Sequence, residues 1–129
     1  MIPTPHVIAV VDDEPQMRKA LQRLLASHGF HVDNYERGND FLAAHATKPA
    51  DCLVLDLHMP EFSGFDVLAA LEHLESTPPV VVLTGHNEPA TAERVRLLGA
   101  TAYLLKPVDE SALLFAIRNA IAKNKTLPA

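Results

Sequence analysis

Val7-Ile-Ala-Val-Val-Asp-Asp-Glu-Pro15 changes character twice. Its first half is an unbroken aliphatic run, which reads as a strand buried on both faces; its second half is acidic, and Pro15 pre-sets the first turn of a helix. The same transition recurs three times. Asp56 follows Cys52-Leu-Val-Leu55, Thr84 follows Val80-Val-Val-Leu83, and Lys106 follows Ala102-Tyr-Leu-Leu105. In open α/β sheets, ligand chemistry gathers beyond the carboxyl ends of the strands. Asp12, Asp13 and Asp56, the Thr84 hydroxyl and the Lys106 ammonium are therefore expected to meet in one place.

Between these strands the apolar period becomes helical. Met17, Ala20, Leu21, Leu24 and Leu25 recur at helical spacing until Gly29. Residues 31–35 form a short extended stretch, followed by a turn at Arg37-Gly38 and a brief helix capped by Asn39 that carries Phe41, Leu42 and Ala43. The third strand is expected over residues 51–55. A third helix over residues 65–74, with apolar Phe65, Val67, Leu68, Leu71 and Leu74, ends before Pro78-Pro79. Pro89 opens a fourth helix that runs toward Leu98, with Gly99 placed for a C-cap. The fifth strand is residues 102–105. Residues 110–123 form the last helix, amphipathic through Leu113, Leu114, Ile117, Ala120 and Ile121. Five βα units predict a single α/β domain: a doubly wound parallel sheet with right-handed crossovers and helices on both faces. Residues 1–124 are expected to form this domain, and residues 125–129 a tail or the start of a linker.

Composition limits what such a domain does. With 129 residues, 48% of them apolar, the chain buries one core. No apolar run approaches the roughly 18 residues of a membrane span, and the Met1 to Pro5 start lacks the regions of a signal peptide, so a cytoplasmic protein without membrane contact is expected. Cys52, the single cysteine, lies in a strand and reads as a small buried apolar residue. A net charge of −5 disfavours direct binding of nucleic acid by this domain.

Taken together, Val11-Asp12-Asp13-Glu14, Asp56-Leu-His-Met-Pro60 with Ser63-Gly64, Thr84-Gly85 and Lys106-Pro107 resemble the receiver domain of bacterial two-component response regulators, in particular those attached to helix-turn-helix transcription regulators. The resemblance covers nearly the whole chain. It implies a flavodoxin-like (βα)5 fold with strand order 2-1-3-4-5 and a phosphoacceptor, Asp56, that takes a phosphoryl group from a histidine kinase. It also implies that the chain is no enzyme beyond catalysing its own phosphorylation and dephosphorylation, in which Asp56 and Lys106 are the catalytic residues. The backbone carbonyl of His58 joins the metal ligands by the same resemblance, and the Lys106-Pro107 peptide is a candidate for the cis form. Tyr103 falls where receivers carry an aromatic switch residue that turns inward as the threonine moves toward the phosphoryl group. The surface that changes is then the fourth helix, fifth strand and fifth helix, including Arg94, Arg96, Tyr103 and Asp109, which would support a phosphorylation-dependent homodimer or an output partner.

The groups themselves support this chemistry. Charge repulsion makes a carboxylate a poor nucleophile toward an anionic phosphoryl donor, and three carboxylates worsen it. A divalent cation removes the conflict, and oxygen ligands from Asp12, Asp13 and Asp56 suit Mg²⁺, with Mn²⁺ an alternative occupant. Lys106 supplies a point charge and Thr84 a hydroxyl donor to a phosphoryl oxygen. Each residue also has a plainer reading: Asp12 or Asp13 as a helix cap, Asp56 and Thr84 as turn residues, Tyr103 as an ordinary strand tyrosine. Their joint placement at successive strand ends favours the chemical one.

Other functions fit less well. An aspartyl phosphatase would carry a second aspartate where this chain has His58, and a dinucleotide-binding module would need a glycine-rich loop in place of Asp12-Asp13-Glu14. A receiver-fold interaction module that is never phosphorylated is the remaining alternative. His58 and His86, each two residues after a site residue, are expected to rim the pocket and to tune the dephosphorylation rate and its pH dependence, against a plainer reading as exposed loop residues. A zinc site is weaker, since His6, His28, His31, His45 and His73 scatter over separate elements.

Overall fold

The computed structural model of the chain describes residues 4–126. Its strands are β1 (Val7–Val11), β2 (His31–Tyr35), β3 (Cys52–Asp56), β4 (Val80–Thr84) and β5 (Ala102–Leu105), all parallel, in the order β2-β1-β3-β4-β5. The helices are α1 (Pro15–Ser27), α2 (Gly38–His45), α3 (Gly64–Leu71), α4 (Pro89–Leu97) and α5 (Glu110–Thr126). This is the doubly wound sheet that the alternating periods predict.

Strand periodicity divides the core into two layers. Ile8, Val10, Cys52, Val54, Val81 and Leu83 pack on Leu21 and Leu25 of α1 and on Leu113, Leu114, Ile117, Ala120 and Ile121 of α5. Ala9, Val11, Leu53, Leu55, Val80 and Val82 pack on Phe41 of α2, on Val67, Leu68 and Leu71 of α3, and on Val95 of α4. Cys52 is fully buried, and burial pushes its thiol up to about 12, so it is an inert core residue, as expected. No helix among the described residues is long and apolar enough to cross a membrane.

Several boundaries differ from expectation. Helix α2 starts at Gly38 with Arg37 as N-cap, so Asn39 lies inside the first turn and does not cap it. Only glycine fits at residue 38, where a Cβ would collide with Val67 Cγ2 and lie 3.0 Å from Phe62 Cδ2. Strand β3 is displaced by one residue, because Asp51 turns its carboxylate to accept a hydrogen bond from the Val7 N–H at 2.7 Å, and Asp56 becomes the last strand residue. Helix α3 starts earlier and ends earlier than the apolar spacing suggests. Ser63 and Asp66 form a reciprocal capping box at its start, and Leu74 lies beyond its end, 41% exposed. Strand β5 is not buried on both faces. It is an edge strand with Leu105 40% exposed, since no further strand flanks it. Helix α5 continues through Thr126, where a tail was expected to have begun; residues 127–129 of that tail and Met1 to Pro3 lie outside the described residues.

The β3–α3 connection is pressed against the strand end. A Cβ at Gly64 would sit 2.7 Å from the Asp56 carbonyl oxygen and 2.8 Å from Leu57 Cα, both backbone atoms that cannot yield cheaply. Gly64→Ala is therefore expected to lower stability by about 1–3 kcal/mol, the usual cost of overpacking, in urea denaturation. Gly85→Ala, where a Cβ meets nothing within 4 Å, serves as the control and should change stability by no more than about 0.5 kcal/mol.

Candidate functional site

Strand parity assembles the charged part of the site. Asp12 and Asp56 continue the positions of β1 and β3 that face α1 and α5, and Lys106 continues Ala102 and Leu104 of β5 on the same side. The register aligns Val11 with Leu55 and Asp56 with Leu83, so the strand ends form one row. Lys106 Nζ donates to Asp12 Oδ2 and to Asp56 Oδ1, both at 3.2 Å, and so ties β5 to β1 and β3. The peptide between Lys106 and Pro107 is cis.

Asp12 and Asp56 are almost fully buried, 1% and 5% exposed. Asp12 does not cap α1. The N-cap is Glu14, whose N–H donates to Asp12 Oδ1 at 2.9 Å, while Arg18 Nη1 donates to the Asp12 carbonyl at 2.7 Å. Asp13 is half-buried and its carboxylate makes no hydrogen bond among the described residues; it borders a groove of about 470 Å³ shared with Arg37, Asn39, Met59 and Phe62. Burial, and then the neighbouring Asp12 charge, push the Asp56 carboxyl up to about 6 against the opposing pull of Lys106. Burial disfavours the Lys106 charge as well, but attraction and hydrogen bonds from Asp56 and Asp12 outweigh it and hold its pKa above the usual value.

Three carboxylates around one ammonium leave an excess of negative charge. Carboxylate oxygens of Asp12, Asp13 and Asp56 lie within 4.8 Å of one another, the one such group of three ligating side chains among the described residues. That donor set, hard oxygens only, fits a divalent cation of the Mg²⁺ type with positions left for water or substrate.

Thr84 and Tyr103 belong to the other layer, with Val80, Val82 and Val95. Thr84 is fully buried and its Oγ1 accepts the His86 N–H at 3.1 Å. The Tyr103 hydroxyl donates to the His86 carbonyl at 2.8 Å. His58 and His86 are exposed, and their rings meet edge to face with centroids 4.3 Å apart; the His58 N–H points at Asp56 Oδ1 at 3.4 Å. The other histidines stay apart. His28 faces Glu110, His31 faces Asp33, and His45 reaches the Ser76 carbonyl.

On the surface of α4, β5 and α5 the polar residues singled out from sequence are engaged within the chain. Arg94 stacks on the Phe65 ring at 4.0 Å, Arg96 pairs with Glu93 at 2.6 Å, and Asp109 accepts the Ala112 N–H at the start of α5. Leu97 and Phe115, 68% and 71% exposed, are, with Leu105, the large exposed apolar groups there, and the sequence reading missed both. It also missed Arg18 and the Ser63–Asp66 box, although Ser-x-x-Asp before an apolar run is a readable capping signal.

Residues 8–118 match the family described as the response regulator receiver domain. The transcriptional regulatory protein FixJ of Rhizobium meliloti (strain 1021) is 33% identical over 117 residues, 91% of this chain and 57% of that protein. The response regulator protein TodT of Pseudomonas putida is 35% identical over 115 residues, 89% of this chain and 51% of that protein. The chain thus spans little more than half the length of these curated relatives. Among solved structures, a response regulator receiver domain protein from Clostridium thermocellum superposes with a TM-score of 0.87 at 31% identity, covering 95% of this chain and 99% of that one.

The buried Asp56 makes metal-free stability depend on pH. The folded carboxyl holds its proton to about pH 6, whereas the unfolded one releases it near 3.8. Across that window the native state binds more protons, so stability falls as pH rises. In the presence of a chelator, Asp56→Asn is expected to be more stable than the parent at pH 7.5 by on the order of 1–3 kcal/mol, a gap that closes by pH 4. Urea titrations at the two pH values measure it.

Proposed function

The chain belongs to the response regulator receiver family, and from that premise we propose that it is a phosphorylation-controlled switch with Asp56 as its acceptor. The observation that carries this reading is the Lys106 ammonium bonded to both Asp12 and Asp56, with Asp13 completing an oxygen cluster within 4.8 Å. Receiver domains bind Mg²⁺ at such a cluster. Here Asp12, Asp13, Asp56 and the His58 carbonyl would hold the ion, which supplies positive charge against the oxygens of an incoming phosphoryl group.

The Asp56 carboxylate attacks phosphorus. A P–O bond to Asp56 forms as the P–N bond to the imidazole of a phosphohistidine breaks, and the departing nitrogen keeps the electron pair. Lys106, already beside Asp56, compensates charge on the transferring group. Thr84 donates its hydroxyl to a phosphoryl oxygen, and Tyr103 follows it inward. His58 and His86 set the lifetime of the aspartyl phosphate by controlling how water approaches it. A histidine kinase of the cytoplasm is the donor. The face of α4, β5 and α5, with Leu97 and Phe115 exposed, passes the change to a second copy or to an output segment of the helix-turn-helix type.

Acetyl phosphate with Mg²⁺ is expected to add one phosphoryl mass to the parent protein and none to Asp56→Asn or to the parent in chelator; an equal adduct on the variant would overturn the assignment. Sedimentation with beryllofluoride and Mg²⁺, a mimic of the acyl phosphate, is expected to shift the parent toward a dimer. An unchanged profile would refute dimerisation through this face.

A further inference from the structure

Asp12 is held at every polar atom. Its N–H donates to the Tyr35 carbonyl at 3.2 Å, its Oδ1 accepts the Glu14 N–H at 2.9 Å, its Oδ2 accepts Lys106 Nζ at 3.2 Å, and its carbonyl accepts Arg18 Nη1 at 2.7 Å. Asp13 has no comparable support, although its carboxylate completes the oxygen cluster within 4.8 Å: that carboxylate makes no hydrogen bond among the described residues. The backbone alone therefore aims it, and the peptide joining it to Asp12 is the one whose carbonyl Arg18 holds. Arg18 is half-buried near the start of α1, whose first turn carries no acidic residue. A cation near the positive end of a helix dipole is disfavoured, so its place there needs compensation. The Asp12 carbonyl supplies it.

We propose that Arg18 is a positioning residue for the divalent cation: by holding the carbonyl of the Asp12–Asp13 peptide it fixes that peptide plane and so aims the Asp13 carboxylate at the ion. The proposal rests on Mg²⁺ being held by Asp12, Asp13 and Asp56 and deepens that reading. A guanidinium beside the cluster acts on a cation in two ways of opposite sign. As a charge it repels Mg²⁺, so its removal would tighten binding. As an anchor it orders Asp13 before the ion arrives, so its removal would weaken binding. A short charge-assisted bond to a half-buried carbonyl is directional, which favours the anchor. Lys106 is bonded to the carboxylates themselves, whereas Arg18 is bonded to the backbone between them. The two cations thus divide the work, one offsetting charge and the other fixing geometry.

Calorimetric titration of Mg²⁺ into the metal-stripped chain measures affinity for the parent, Arg18→Met, Arg18→Gln, Asp13→Asn and the Arg18→Met, Asp13→Asn double variant, with thermal midpoints taken alongside in chelator. Both Arg18 variants lose the guanidinium, and Arg18→Met keeps an aliphatic stem for packing. Each is expected to bind Mg²⁺ about 10- to 100-fold more weakly than the parent, the scale on which groups that orient metal ligands act. On the Asp13→Asn background, Arg18→Met should weaken binding by no more than about twofold further, because the carboxylate that Arg18 aims is already gone. Unchanged or tighter Mg²⁺ binding in the folded Arg18 variants, whatever their thermal midpoints, would overturn the positioning role. So would an equal loss on both backgrounds, or failure of both Arg18 variants to fold, which would assign Arg18 to stability instead. A parent that binds no Mg²⁺ would overturn the metal reading itself, and the role of Arg18 with it.

Discussion

The ammonium of Lys106 between the carboxylates of Asp12 and Asp56 is the contact on which the rest of the site depends. Two acids nearly excluded from water, at the ends of neighbouring strands, repel each other in a medium that screens poorly. Lys106 reaches them from the edge strand and offsets that repulsion, joining three strand ends that share one side of the sheet. The compensation is incomplete: burial and Asp12 still push Asp56 up to about 6, and Asp13 adds a further carboxylate that has no hydrogen bond of its own among the described residues. The site is thus built with a deficit of positive charge, which a divalent cation would offset.

The strand alternation that builds the two core layers also separates two tasks. Asp12, Asp56 and Lys106 continue the layer of α1 and α5, while Thr84 and Tyr103 continue the layer of α2, α3 and α4. In the proposed function, the chemistry therefore sits over one set of helices and the groups that would sense it over the other. His86 lies where the two meet, bonded through its N–H to Thr84, through its carbonyl to Tyr103, and through its ring to His58, whose own N–H turns to Asp56.

The sheet, its strands and the identity of the charged cluster were legible because they follow from short-range pattern: aliphatic runs of strand length, each ending in a polar group. What escaped the sequence depends on contacts between distant elements. The crowding of Gly38 by Val67 and Phe62, and of Gly64 by Asp56 and Leu57, comes from elements remote in sequence or folded back on themselves. The exposure of β5 reflects its place at the edge, which the aliphatic character of Ala102-Tyr-Leu-Leu105 does not reveal. Arg94 was read as a surface charge, but its guanidinium covers Phe65, an interaction between α4 and α3 that no local pattern encodes. The histidine pair was visible as two positions near the pocket. Their ring contact was not, because it needs the register of β3 against β4.

Helix α4 is the element least tied to this framework. Val95 is its one buried residue, whereas α3, of similar length, buries Gly64, Val67, Leu68 and Leu71. Its N-cap, Glu88, makes no side-chain capping bond, and Pro89 at the first position carries no N–H to bond. A helix held by one core side chain and one stacked arginine lies at the low-stability end of the fold and shifts at small cost. The Tyr103 ring packs in the same layer as Val95, and a hollow of about 250 Å³ lies among Val95, Ala100 and Tyr103. A rotation of Tyr103, as proposed for the switch, would therefore act first on the element that resists least. The weak anchoring of α4 and the strong anchoring of Lys106 are complementary requirements of the proposed switch: a rigid charged centre would make the site respond to one chemical event, and a loosely held neighbour would turn that event into a change of surface.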